Sequence, residues 1–201
     1  MLPTVGPVPR FSGALVLFER IAAEPRLVIA GAGHVGASLA RLAALVGYRV
    51  TLIDDRAEFV ARELFASPHE QSIDLIAAKS WSNALRAAIG SGRGVSVAIV
   101  TRGHKQDEDC LQAAIDSKPD YIGMIGSKRR TNIVLDKLRE AGADQDRLKH
   151  VRAPIGLDIG AVSPEEVALA ILAEIVAERR RGSGAPLSAW RRDLRREPAN
   201  G

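Results

Sequence analysis

Three glycines define the chemistry this chain could attempt. Gly31, Gly33 and Gly36, in the run Gly-Ala-Gly-His-Val-Gly, have GxGxxG spacing. In that pattern the first glycine makes a tight turn, the second admits a phosphate close to the backbone, and the third lets a helix approach a strand. Asp54 follows Gly36 by 18 residues, where the acid of a nucleotide cradle meets a ribose hydroxyl. An apolar strand precedes the glycines, and a helix and a second strand ending in the acid follow them. The unit therefore predicts a phosphate-bearing ligand, a dinucleotide among the candidates. The other reading is a turn kept for its shape alone.

Further polar residues cluster after later apolar runs. Thr101-Arg102-Gly103-His104 follows the fourth run. If the strands take the common order 3-2-1-4-5-6, the loops after strands 1 and 4 share one crevice, so His34 and His104 should face the same pocket. His104 and Asp107 have the spacing of a carboxylate orienting an imidazole at a helix start. Each histidine could instead be a loop or cap residue. Gly126-Ser127-Lys128-Arg129-Arg130 is a second glycine turn opening a helix, now with a hydroxyl and three cations. Helix N-termini bind anions through free N–H groups, and the cations reinforce that. The alternative there is a helix cap followed by a solvated basic face. A last glycine loop carries Gly156 and Asp158, an acid among apolar neighbours. No compact metal-ligand spacing and no nucleophile elbow occur, so neither a metal nor a catalytic residue is assigned. Cys110, the only cysteine, sits at helix spacing with Leu111, Ala114 and Ile115, which turns it toward a core.

The elements that must position these residues alternate regularly. Apolar runs near 26–30, 49–53, 72–76, 95–100, 120–125 and 150–153 read as strands. Helix-period segments fall near 34–46, 57–65, 80–89, 107–117, 128–141 and 164–180. Such alternation predicts a single α/β domain with a doubly wound, mostly parallel, Rossmann-like sheet. It should span 26–181, after a linker-like 1–25 and before a basic, flexible tail at 182–201. Ser163-Pro164-Glu165-Glu166 supplies a cap, a proline and a capping-box acid for the last helix. The apolar positions of that helix, Val167 to Val176, wrap more than one face, which predicts packing against a second copy of the chain.

Length and composition agree with this size. A chain of 201 residues with 46% apolar and 26% charged residues fits one soluble globular domain. No run approaches the length needed to cross a bilayer and nothing reads as a signal peptide, which predicts a cytoplasmic address without membrane attachment. The net charge of +4 is concentrated in residues 179–201, where seven arginines face Asp193 and Glu197. The remaining body is close to neutral. No nucleic-acid-binding motif accompanies that basic stretch, so nucleic acid is not expected as a partner.

Taken together, Gly-Ala-Gly-His-Val-Gly at 31–36, Ile-Asp-Asp-Arg at 53–56, Thr-Arg-Gly-His with Asp107, Tyr-Ile-Gly-Met-Ile-Gly-Ser at 121–127 and Ala-Pro-Ile-Gly-Leu-Asp-Ile-Gly at 153–160 resemble the C-terminal domain of the xanthine dehydrogenase accessory (XdhC/CoxI) family. The resemblance runs from about Pro25 to Leu187. It implies a dimer-forming Rossmann-type domain of a molybdenum-cofactor chaperone that binds the cofactor, is linked to its sulfuration, and passes it to an apo molybdenum hydroxylase such as xanthine dehydrogenase. A cysteine desulfurase and a separate N-terminal-domain protein are implied partners, since family members commonly carry an additional N-terminal domain with a cysteine motif. The chain would then be a split or truncated form. On this reading Gly31, Gly33, Gly36, Gly126, Ser127, Lys128, Arg129 and Gly156 bind the phosphate of the carried molybdopterin. Asp54, Thr101 and Asp158 meet its pterin, and His34, His104 and Asp107 line the same site. Competing classes are a small NAD(P)-dependent oxidoreductase, with Asp54 on ribose and His104 as acid/base, and a nucleotide-sensing module without turnover.

Overall fold

Leu27 and Ile29 belong to one buried cluster and Val28 and Ala30 to another, so a single strand feeds two cores by its period of two. That strand, β1 (Arg26–Ala30), is central in a five-stranded sheet with β2 (Arg49–Asp54), β3 (Asp74–Ala77), β4 (Val95–Ile99) and β5 (Tyr121–Met124). The computed structural model describes residues 24–189. The strand order is β3-β2-β1-β4-β5 and every pairing is parallel. Helices α1 (His34–Leu45), α2 (Trp81–Ile89), α3 (His104–Ser117), α4 (Lys128–Glu140), α5 (Gln145–Lys149) and α6 (Pro164–Arg180) cover both faces. On one face Leu39 and Ala40 of α1 meet Ile171 and Ile175 of α6. On the other, Leu85, Leu111 and Val134 bring α2, α3 and α4 together. The Rossmann-like α/β class is thus as the alternation predicts.

Three elements differ from the sequence reading. The segment expected to be a helix over 57–65 is broken into the 3-10 turns Ala57–Val60 and Arg62–Leu64, followed by Pro68–Ser72, and Phe65 is fully buried between them. The expected sixth strand at 150–153 is reduced to one parallel bridge, Gly123 to Arg152. Arg152 exchanges bonds with Ile122 and Met124, but the next donor in that register is Pro154, which has no N–H, and the Ile155 amide takes the Met124 carbonyl instead. Helix α3 starts at His104 rather than Asp107, with Gly103 as its cap residue.

Helix α6 forms where expected, with the reciprocal Ser163 and Glu166 capping box. Its apolar surface, however, is taken up by this chain. Ala168, Ile171, Leu172 and Ile175 are buried, mainly against α1, and Leu169 is the large apolar side chain of the helix left exposed. That helix therefore gives no ground for a second copy of the chain. The linker-like reading of 1–25 falls outside the described residues up to 23, as does the tail reading from 190 onward. Among the described residues no helix is long and apolar enough to cross a membrane.

Candidate ligand-binding crevice

Parallel strands send all their outgoing loops to one edge, and here the winding direction reverses between β1 and β4. A crevice of about 410 Å³ opens there, lined by Gly31, Gly33 and His34 of the first loop, Thr101 and Arg102 of the fourth, and Gly126 and Arg130 of the fifth. Gly31 has φ +109°, and a Cβ on it would lie 2.6 Å from the Val100 carbonyl oxygen. A Cβ on Gly36 would lie 1.8 Å from the Gly31 oxygen, whereas one on Gly33 would meet nothing within 4 Å. The first and third glycines are thus demanded by packing, and the second faces open space at the N-terminus of α1. A larger depression of about 490 Å³ around Lys118, Arg147 and His150 lies at the start of β5, away from the glycine loops.

Asp54 ends β2 but is 1% exposed. Its Oδ2 accepts from the Ala32 amide at 2.7 Å and from Arg56 Nη2 at 3.1 Å; its Oδ1 accepts from the Arg56 amide at 3.0 Å and Arg56 Nε at 2.8 Å. Burial alone would raise this carboxyl, but the hydrogen bonds from Arg56 and the Ala32 amide outweigh it and hold the group below its ordinary value. With four donors already in place a carboxylate has little capacity left. Asp54 therefore shapes the glycine turn and anchors Arg56, whose guanidinium carbon lies 3.6 Å from the centre of the Phe59 ring.

Asp107 is fully buried. It is bonded not to His104 but to the Thr101 hydroxyl, at 2.5 Å, and to Arg130. Burial, the largest influence, pushes its carboxyl above the ordinary value against the pull of these two donors. The expected His104–Asp107 pair is thus replaced by a Thr101–Asp107–Arg130 chain, because α3 begins at His104. The first fully buried position of that helix is then Asp107, three residues later. His104 is exposed and absent from the crevice lining, while His34, also exposed, lines it.

The cations of the α4 turn divide in the same way. Lys128 and Arg129 are exposed and lie outside the lining; Arg130 is the cation turned into the crevice. Ser127 caps α4 by accepting from the Arg130 amide at 3.2 Å. Gly156 packs against α6, donating its amide to Glu174 Oε2 at 2.6 Å, and Asp158 is exposed rather than set among apolar groups. Neither lines the crevice. The sequence reading gave no role to Arg56, Trp81 and Gln106, which also line the crevice, and it did not single out Arg130 among the three cations of the α4 turn. The stripe Thr131, Val134, Leu138 was the available signal for Arg130, which lies nearest to it around the helix. Cys110 is buried, and burial raises its thiol well above the ordinary value, as suits an unreactive core residue. Among the described residues no group of His, Cys, Asp or Glu could hold a metal ion.

The XdhC Rossmann domain family matches residues 27–175, the whole span that builds this sheet edge. The chain belongs to that family. Among curated relatives, the uncharacterized protein YqeB of Escherichia coli is 33% identical over 86% of this chain and 31% of its own length. A protein of Bacillus subtilis named as a probable xanthine dehydrogenase subunit is 29% identical over 87% of this chain and 49% of its own. The molybdenum cofactor insertion chaperone PaoD of Escherichia coli is 39% identical over 34% of this chain and 22% of its own. A crystal structure of a xanthine dehydrogenase from Bacillus halodurans superposes with a TM-score of 0.65 at 27% identity, covering 83% of this chain and 46% of that one. The XdhC domain described here spans less than half the length of each of these relatives. Two of these names refer to xanthine dehydrogenase and one to a molybdenum cofactor insertion chaperone.

Proposed function

We propose that this XdhC domain carries the molybdenum cofactor in the crevice and delivers it to an apo molybdenum hydroxylase, acting as a maturation factor rather than as an enzyme. One observation carries the reading. A glycine turn with an open second position, the start of α1 and the guanidinium groups of Arg56, Arg102 and Arg130 converge on one cavity. The cofactor has a pterin, a terminal phosphate and an oxyanionic metal centre, and this donor set suits it. Amides at Gly33 and His34 would take an anionic oxygen, with Arg130 and Arg56 supplying charge-assisted bonds. Trp81 offers an apolar surface for a ring. The bound cofactor supplies the metal chemistry used by the recipient, and the domain supplies binding and shelter. A homodimer, a cysteine desulfurase and a separate N-terminal-domain protein belong to the same proposal as further partners. The relatives named for xanthine dehydrogenase and cofactor insertion support it.

The oxidoreductase reading depends on Asp54 accepting a ribose diol, and that carboxylate already has four donors. The test adds cofactor-loaded domain to a cofactor-free hydroxylase, with the N-terminal-domain protein supplied. The expected result is a rise in hydroxylase activity, no nicotinamide turnover by the domain alone, and about tenfold weaker cofactor binding by Arg130→Gln, the loss of one charged hydrogen bond. Nicotinamide turnover without any hydroxylase activation would overturn the proposal.

A further inference from the structure

The end of β2 is built to present a cation where a nucleotide cradle ordinarily presents an acid. Arg56 reaches back to Asp54 through Nε at 2.8 Å and Nη2 at 3.1 Å, and its plane stacks on Phe59. The fork and the stack fix the guanidinium, so little rotamer freedom remains to be lost on binding. Nη1 makes no hydrogen bond among the described residues, and the side chain, 23% exposed, lines the crevice. The carboxylate behind it is 1% exposed. A ligand thus meets the guanidinium edge and not the acid. Across the mouth, Arg102 reaches Asp55 with a separation of 3.7 Å between exposed side chains. A pair of that kind is weak and free to turn toward a stronger anion. Asp55 Oδ1 also lies 3.9 Å from Arg56 Nε, so this one exposed carboxylate opposes an anion at the shelf.

We propose that Arg56, held on Phe59 and Asp54, is a specificity residue of the crevice that receives a phosphate monoester and disfavours an unphosphorylated diol at the end of β2. The proposal rests on the crevice being the ligand site, as argued above, and adds which group of the ligand is read and by which residue. A monoester carries up to two charges and three acceptor oxygens, which matches an open guanidinium edge with Arg102 beside it. A vicinal diol would need an acceptor, and the Asp54 oxygens have none to spare. Two ligands present such a monoester, a pterin with a phosphorylated side chain and a dinucleotide with a 2′-phosphate.

The test titrates the whole chain by calorimetry with two pairs of probes that differ only in the monoester. One pair is a 6-alkylpterin phosphate and its dephosphorylated alcohol; the other is NADP+ and NAD+. The expected result is that the phosphorylated member of at least one pair binds about tenfold tighter or more, with Arg56→Gln erasing the difference. Preference within the pterin pair supports the carrier reading as well. Preference confined to the nicotinamide pair keeps the role of Arg56 and removes the carrier reading. Absence of preference in both pairs with unaltered protein overturns the proposal, whatever the variant does. Because Arg56→Gln leaves a buried carboxylate with fewer donors and could unfold the chain, Asp55→Asn is measured too. That exposed change should tighten the phosphorylated probe several-fold and leave its unphosphorylated partner unchanged, by removal of one opposing charge. Equal shifts for both members of a pair would contradict a monoester at this shelf.

Discussion

Gly36 and Gly33 stand in one turn and carry opposite constraints. A methyl group on Gly36 would run into the Gly31 oxygen at 1.8 Å, while one on Gly33, whose φ is −64°, would enter empty space. Gly36→Ala should therefore destabilise the domain by roughly 3 kcal/mol, as overpacking against backbone does, and Gly33→Ala by less than about 0.5 kcal/mol, as an open position does. Urea denaturation of the two variants checks this, and equal losses would contradict the assigned roles. The GxGxxG spacing made this division of labour readable from the sequence. The carboxylates were harder to read. Asp54 and Asp107 were both identified as site residues, but the arginines that occupy them lie 2 and 23 positions away. The first partner stood two positions on, in the Ile-Asp-Asp-Arg motif, with no role given to it, and the second depends on how α3 and α4 meet in space. Sequence spacing suggested His104 for Asp107 because the helix start was placed three residues too late.

Glu174 ties the loop at 153–161 to α6 and β5. Its Oε2 accepts from the Tyr121 hydroxyl at 2.9 Å and from the Gly156 amide at 2.6 Å. Burial, followed by the Glu174 charge, raises the Tyr121 hydroxyl well above its ordinary value, which keeps it a donor. Glu174→Ala strands two donors and should cost about 2 kcal/mol, whereas Tyr121→Phe removes one bond without stranding a donor and should cost about 1 kcal/mol. Hydrogen exchange separates them further: the Gly156 amide should exchange faster in Glu174→Ala and stay protected in Tyr121→Phe. Equal protection in both would detach Glu174 from the loop. Continuous apolar runs and clear caps were legible, β1 and β4 by the first and α6 by its Ser163 and Glu166 capping box. The 57–65 segment was not: it forms successive 3-10 turns, which bury Phe65, in place of the expected helix. The sixth strand failed at one residue, Pro154, whose missing N–H stops the ladder.

The molecule as a whole gathers loops from separate stretches of chain onto one sheet edge, and the parallel alternation of strands and helices was sufficient to foresee that gathering. Gly33 and Gly126 do line one crevice. The loop carrying Gly156 instead packs on α6, since the glycine pattern by itself does not say which loops turn inward. The apolar surface of α6 was legible too, but its partner was not: α1 covers it within the chain, so dimerisation needs support from elsewhere. Everything proposed for function turns on the crevice being where the cofactor is carried. Gly33 offers a clean probe of this, because it lines the crevice and a Cβ there meets nothing within 4 Å, leaving room for a larger side chain to grow into the ligand's space. The decisive measurement is molybdopterin binding to Gly33→Leu beside the unaltered chain, with thermal unfolding recorded for both. Binding should fall by about a hundredfold or more, the loss of the phosphate contacts and the space together, while the melting temperature stays the same. A folded Gly33→Leu that binds the cofactor as tightly as the unaltered chain would place the ligand elsewhere and contradict this account.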